Sequence, residues 1–224
     1  MASVVRLSYG ELSPNSLPKS LSPLVKRLVD SVIGFESGFE RISRKRFEAH
    51  NFDIYGYDVA RKLVVIQFRR AQGSKYGVSV QKQYVLAGVD EGQDFFHILP
   101  TSPRQKKDLA TTSPQELVRW CESKIFGVKP EQLSGIVRQG DVALVPVKRV
   151  PEGLKALPDV TFRDSHKLEG AIFQNPETDE YFVNGAATLT HTKNEHGLKT
   201  VTGTFRVVCG ESGARRDWLN GPVD

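Results

Sequence analysis

From Arg41 onward the spacing of apolar residues changes to a period of two, in runs separated by turn chemistry. A strand turns successive side chains to opposite faces, so this period commits the stretch to β-structure rather than helix. Phe52, Ile54, Tyr55 and Tyr57 lead to a turn near Asp58–Arg61. The run Leu63-Val64-Val65-Ile66-Gln67-Phe68 comes next, then a Gly73–Gly77 loop and the segment Val78–Leu86. Asp90-Glu91-Gly92-Gln93 is a turn signal ahead of Phe95–Leu99. Strand-like runs joined this closely predict an antiparallel meander of four or five strands.

Helix signals flank the meander. Residues 10–23 hold three prolines and four serines, which suits an extended lead-in. Ser22 reads as an N-cap with Pro23 at the first helical position, and Leu24, Val25, Leu28, Val29, Val32 and Ile33 follow at helical spacing up to Gly34. Beyond the meander, Ser113-Pro114-Gln115-Glu116 is a capping box with proline at the first position, and Leu117, Trp120, Cys121 and Ile125 give that helix an apolar face. The chain therefore reads as α+β. A basic α+β domain, a helix-flanked antiparallel meander, is expected over residues 1–133, followed by a small all-β barrel or sandwich over residues 134–224.

The second domain is expected from many short strand-like runs: Val142–Val147, Gly170–Phe173, Tyr181–Val183, Ala187–His191 and Thr200–Cys209. Asn175–Asp179 and the pair Asn184-Gly185 read as the turns between them. Into this segment fall three of the five histidines, His166, His191 and His196, with Glu195 beside the last. Imidazole is the commonest side chain both for metal ligation and for proton transfer near neutral pH. The polar turn Thr192-Lys193-Asn194-Glu195 can fold back to bring His191 and His196 together, with His166 supplied by a neighbouring strand. A divalent metal held by the three imidazoles, with Glu195 as base or fourth ligand, would keep a position for water, as metal-assisted hydrolysis requires. The bland alternative is a turn histidine and two strand histidines in polar contacts. His50, His97 and Asp141 are set aside, Asp141 because a turn role after Gly140 is sufficient for it.

The run Val137–Val147, which contains Arg138-Gln139-Gly140-Asp141-Val142, resembles the opening strand of a group of small, largely uncharacterised bacterial and phage proteins. The likeness continues at Asp164-Ser165-His166-Lys167, at Thr190–Gly197 and at Thr204-Phe205-Arg206-Val207, and so covers roughly the last ninety residues. It implies a shared module, and no activity comes with it.

Charge separates the two halves. Residues 1–130 carry 20 Lys and Arg against 13 Asp and Glu, a net of +7, whereas residues 131–224 carry 11 against 13, a net of −2. A positive field over one half raises the expectation of an acidic partner, nucleic acid first. Arg41, Arg44, Lys45, Arg46, Arg69, Arg70, Lys75 and Lys82 form the candidate phosphate-binding set. Tyr55, Tyr57, Tyr76, Tyr84, Phe95 and Phe96 are interleaved with them as stacking partners for bases. Cys121 and Cys209 lie 88 residues apart with no CxxC, and read as small buried apolar residues in a reducing compartment. No apolar run has the length of a membrane span, and residues 1–6 lack the shape of a secretory signal, so a cytoplasmic location is expected.

Three functions are compatible with this pattern. The first is a non-catalytic nucleic-acid-associated accessory subunit, its N-terminal sheet on phosphate and its C-terminal β-domain docking a protein partner. The second is a metal-dependent hydrolase or nuclease built on the histidine cluster. The third is a structural assembly subunit. No nucleophile elbow and no phosphate-cradling glycine loop is present to extend the choice.

Overall fold

The computed structural model describes residues 17–33, 40–43, 46–74, 77–90, 92–109, 112–193 and 196–211. The chain divides into two compact units. One contains residues 1–89, 94–122 and 212–224, and the other contains 90–93 and 123–211. The division falls between Glu122 and Ser123, inside the second helix. Among the described residues, no helix is long and apolar enough to cross a membrane.

In the first unit, helix α1 (Ser22–Ile33) precedes a five-stranded antiparallel sheet. Its strands are β1 (Glu40–Ser43), β2 (Arg46–Asp58), β3 (Leu63–Ser74), β4 (Gly77–Asp90) and β5 (Gln93–Ile98), adjacent in chain order. The predicted meander is present, with strands of up to 14 residues. Ser22 is not a cap, because a 3-10 turn at Lys19–Leu21 runs straight into α1 and leaves Ser22 with helical dihedrals. Gly34 lies outside the described residues.

From Leu63 to Arg69, strand β3 is buried on both faces. Val64, Ile66 and Phe68 join Leu24, Val25 and Leu28 of α1, Ile54, Val85, Ala87 and Ile98 in one core cluster. Burial of such side chains contributes about 1.5–3 kcal/mol apiece and holds α1 on the sheet. Arg27 of α1 adds a two-pronged pair to Asp94, at 2.6 and 2.8 Å, which keeps the Asp94 carboxyl below the usual carboxylate range.

Helix α2 (Pro114–Ile125) starts as its capping box dictates. The Ser113 hydroxyl accepts from the Glu116 amide at 3.3 Å, and the Glu116 carboxylate accepts from the Ser113 amide at 2.9 Å. Hydrogen bonds from the Ser113 backbone amide and from its hydroxyl hold the Glu116 carboxyl below its usual range. Arg61, in the β2–β3 turn, donates to both oxygens of the buried Glu122 on α2.

The second unit is one six-stranded antiparallel sheet, neither closed into a barrel nor doubled into a sandwich. Its strands are β6 (Val137–Gln139), β7 (Val142–Pro146), β8 (Lys155–Phe162), β9 (His166–Gln174), β10 (Tyr181–His191) and β11 (Lys199–Cys209), in the order β6-β7-β11-β10-β9-β8. The expected strand Val142–Val147 is β7, the second arm of a hairpin with β6 that turns at Gly140 and Asp141. One sequence expectation changes. Asn184-Gly185 is not a turn: β10 runs through it, and the register against β9 shifts between Val183 and Ala187. A β-bulge of this kind bends a sheet. The bend is tight enough that Gln139 on β6, at one edge of the sheet, donates to the carbonyl of Leu189 on β10, three places along.

Candidate metal centre

The two buried histidines continue the core stripes of their strands. On β9, His166 and Leu168 point the same way, and on β10 so do Leu189 and His191. Leu168 is paired with Leu189, and His166 with His191, in successive same-face positions of the ladder. Both leucines are fully buried in the core, and each imidazole is 4% exposed. The open end of an apolar stripe is thus finished with two imidazoles whose ring centroids lie 4.7 Å apart.

His196 arrives from the loop after β10, its ring 5.1 Å from His191 and 6.2 Å from His166. Gln139, itself 1% exposed, anchors that loop by donating to the Gly197 carbonyl at 2.7 Å. The β6–β7 turn closes the remaining side. A Cβ on Gly140 would lie 3.0 Å from His166 Nε2 and 3.2 Å from His196 Nε2, so two ring nitrogens from different elements face the bare α-carbon of Gly140.

Hydrogen bonding selects which nitrogen of His166 is available. Its Nδ1 lies 3.1 Å from the Ser165 hydroxyl and 3.6 Å from the Asp141 carboxylate. The Ser165 hydroxyl donates to the Arg163 carbonyl, so toward the ring it acts as an acceptor. Two acceptors beside Nδ1 place the ring proton there and leave the Nε2 lone pair directed toward Gly140 and His196. His196 Nδ1 is buried with no hydrogen-bond partner among the described residues.

One ligand atom from each of the three histidines lies within 4.8 Å of the other two. An ion with metal–nitrogen distances of about 2.0–2.1 Å spaces tetrahedral nitrogens about 3.3 Å apart, so the rings fit after a shift of about 1.5 Å at most. The donor set, three neutral imidazoles, suits zinc and its first-row neighbours rather than calcium or magnesium, which take oxygen ligands. Three protein ligands are also the number of a site that keeps one position for water or substrate.

The structure brings His166, His191 and His196 together, while Glu195 lies outside the described residues. Asp141, set aside as a turn residue, is the carboxylate at the centre. Nothing local in the Arg138-Gln139-Gly140-Asp141-Val142 run distinguishes it from a turn residue. Cys121 is fully buried and its thiol pKa is pushed well up by that burial. Cys209 is only half-buried, with a smaller shift of the same sign and the same leading cause.

The candidate phosphate-binding set fares differently. Arg44, Lys45 and Lys75 lie outside the described residues, and Arg41, Arg46 and Arg70 are placed on β1, β2 and β3 by their backbone alone. Lys82 is partly exposed on β4. Arg69 does not face solvent: it is 4% exposed and forms a 2.6 Å ion pair with Asp53, which is 2% exposed. Tyr55 and Tyr84 are not stacking platforms either. Each is 9% exposed, both hydroxyls accept from the buried Gln67 amide, and burial pushes the Tyr55 hydroxyl pKa up. From Leu63 to Arg69, β3 is buried on both faces, which turns this polar stretch of the sheet inward.

Comparisons with protein-family models, with curated proteins and with solved structures found no match.

Proposed function

We propose that the second unit holds one divalent, zinc-type ion on His166, His191 and His196, and that the protein is a metal-dependent hydrolase. One observation carries this reading: three imidazoles from three chain segments converge at the end of an apolar core, two of them with Nε2 aimed at the same glycine. Three neutral imidazoles packed ring against ring can share one cation, which is the ligand number and type of a zinc-type site with a position left for water. An ion held by three neutral ligands supplies Lewis acidity and makes a water at its fourth position acidic enough to attack near neutral pH. The reading as a nucleic-acid-associated subunit without catalysis keeps the +7 charge of residues 1–130 in its favour. It loses Arg69 and both inward-facing tyrosines as contacts.

Elemental analysis of protein purified without chelator is the test. About one zinc-type ion per chain is expected, falling to background in His191→Ala and His196→Ala. Hydrolysis of nitrophenyl esters and phosphate esters should be lost with the ion and return when it is added back. A folded wild-type protein that neither carries nor takes up Zn²⁺ would overturn the centre. Stoichiometric metal with no turnover of either ester class would remove the hydrolase assignment.

A further inference from the structure

The β8–β9 connection is built against its own backbone preference. Arg163 and Asp164 both adopt left-handed dihedrals, at φ +50° and +58°. Two consecutive left-handed positions in a hairpin connection are the place for Asn and Gly, because any larger side chain is strained there. The strained Arg163 puts its guanidinium to use. Its Nε lies 3.4 Å from one oxygen of Asp141, and a terminal nitrogen donates to the Gly210 carbonyl at 2.9 Å. The other Asp141 oxygen lies 3.6 Å from His166 Nδ1. Side-chain exposure falls along this line, from 51% at Arg163 to 19% at Asp141 and 5% at His166. The Asp141 backbone is fixed as well, its carbonyl accepting from the Gly210 amide at 2.6 Å.

We infer that Arg163 and Asp141 are positioning residues for the metal centre, with Arg163 fixing Asp141 and Asp141 fixing His166 with Nδ1 protonated and Nε2 toward the ion. This rests on the metal-centre reading above. A carboxylate behind a ligating imidazole orients the ring and raises its basicity, and loss of such a partner typically weakens metal binding about 10–100-fold.

The turn strain provides the discriminating variant. Arg163→Gly relieves the left-handed backbone at 163, so the metal-free protein should unfold no more easily than wild type, yet it removes the guanidinium. Zn²⁺ affinity, measured by competition with a chromophoric chelator, should fall about 10-fold in Arg163→Gly and about 10–100-fold in Asp141→Asn. Arg163→Lys should recover part of the loss. The Co²⁺ absorption bands should shift in Asp141→Asn at unchanged stoichiometry. Wild-type affinity in both Arg163→Gly and Asp141→Asn, with one ion still bound, overturns the inference and leaves the centre standing. Absence of binding to the folded wild type overturns both.

Discussion

Gly170→Ala is expected to destabilise the second unit by about 3–5 kcal/mol, combining backbone strain with overpacking. Gly170 sits on β9 at φ +126°, and a Cβ there would come within 2.4 Å of the Ala186 carbonyl oxygen and 2.8 Å of the Ala187 α-carbon. These are backbone atoms of the paired strand and cannot step aside as a flexible side chain would. The register shifts on both flanks at this level, between Val183 and Ala187 on β10 and between Leu157 and Asp159 on β8. Gly170 thus sits at the irregularity in register that β9 shares with both neighbours. Against domain stabilities of about 5–15 kcal/mol, a loss of this size removes from about a fifth of the unit's stability to nearly all of it. Hydrogen exchange read by mass spectrometry over β9 and β10 would measure it. Wild-type protection of those amides would show that the strands do not approach as closely as described.

Gly140→Ala should act on the centre rather than on the fold. The added methyl would crowd His166 Nε2 and His196 Nε2 at 3.0 and 3.2 Å, filling the space in front of both nitrogens. Zn²⁺ affinity should fall by about 100-fold, the upper end of what losing the support of a ligating imidazole costs. The φ of +55° also strains an alanine, at about 1–2 kcal/mol. The comparison that isolates the effect on metal is therefore with Gly153→Ala, at φ +73° in a connection where a Cβ meets nothing within 4 Å. Equal melting losses, with metal affinity lost only in Gly140→Ala, are expected. Unchanged affinity in Gly140→Ala would place the ligating nitrogens elsewhere.

The legible features were those written in local chemistry. Ser113 and Glu116 declare the start of α2 by exchanging hydrogen bonds within one turn. The period of two declares the meander because its strands pair with chain neighbours through short turns. The histidines could be grouped because His191 and His196 lie in one hairpin-like segment, and His166 could be assigned to an adjoining strand. What escaped is set by tertiary context. β8 was not anticipated: it is an edge strand containing Pro158, with most of its side chains exposed, so it lacks an apolar alternation. Asn184-Gly185 carries the strongest short hairpin signal, but Gly185 lies opposite Gly203 inside a continuous ladder, and the glycines serve a bend. Arg69 reads as a surface cation until both faces of β3 around it are known to be covered, with Asp53 diagonally across on β2. Asp141 could not be promoted from sequence because its partner, His166, is 25 positions away and meets it only when the sheet curls.

The measurement that bears most directly on the metal centre is a Co²⁺ titration of the intact protein, followed by visible absorption, alongside His166→Ala, His191→Ala and His196→Ala. His196 lies in a loop, so its variant separates loss of a ligand from loss of the fold. The expected result is saturation at one Co²⁺ per chain with the intense bands of a four-coordinate site, abolished in His196→Ala while that protein keeps its wild-type circular dichroism. A wild-type protein that stays colourless, or bands that persist unchanged through all three substitutions, would contradict a centre built on these histidines.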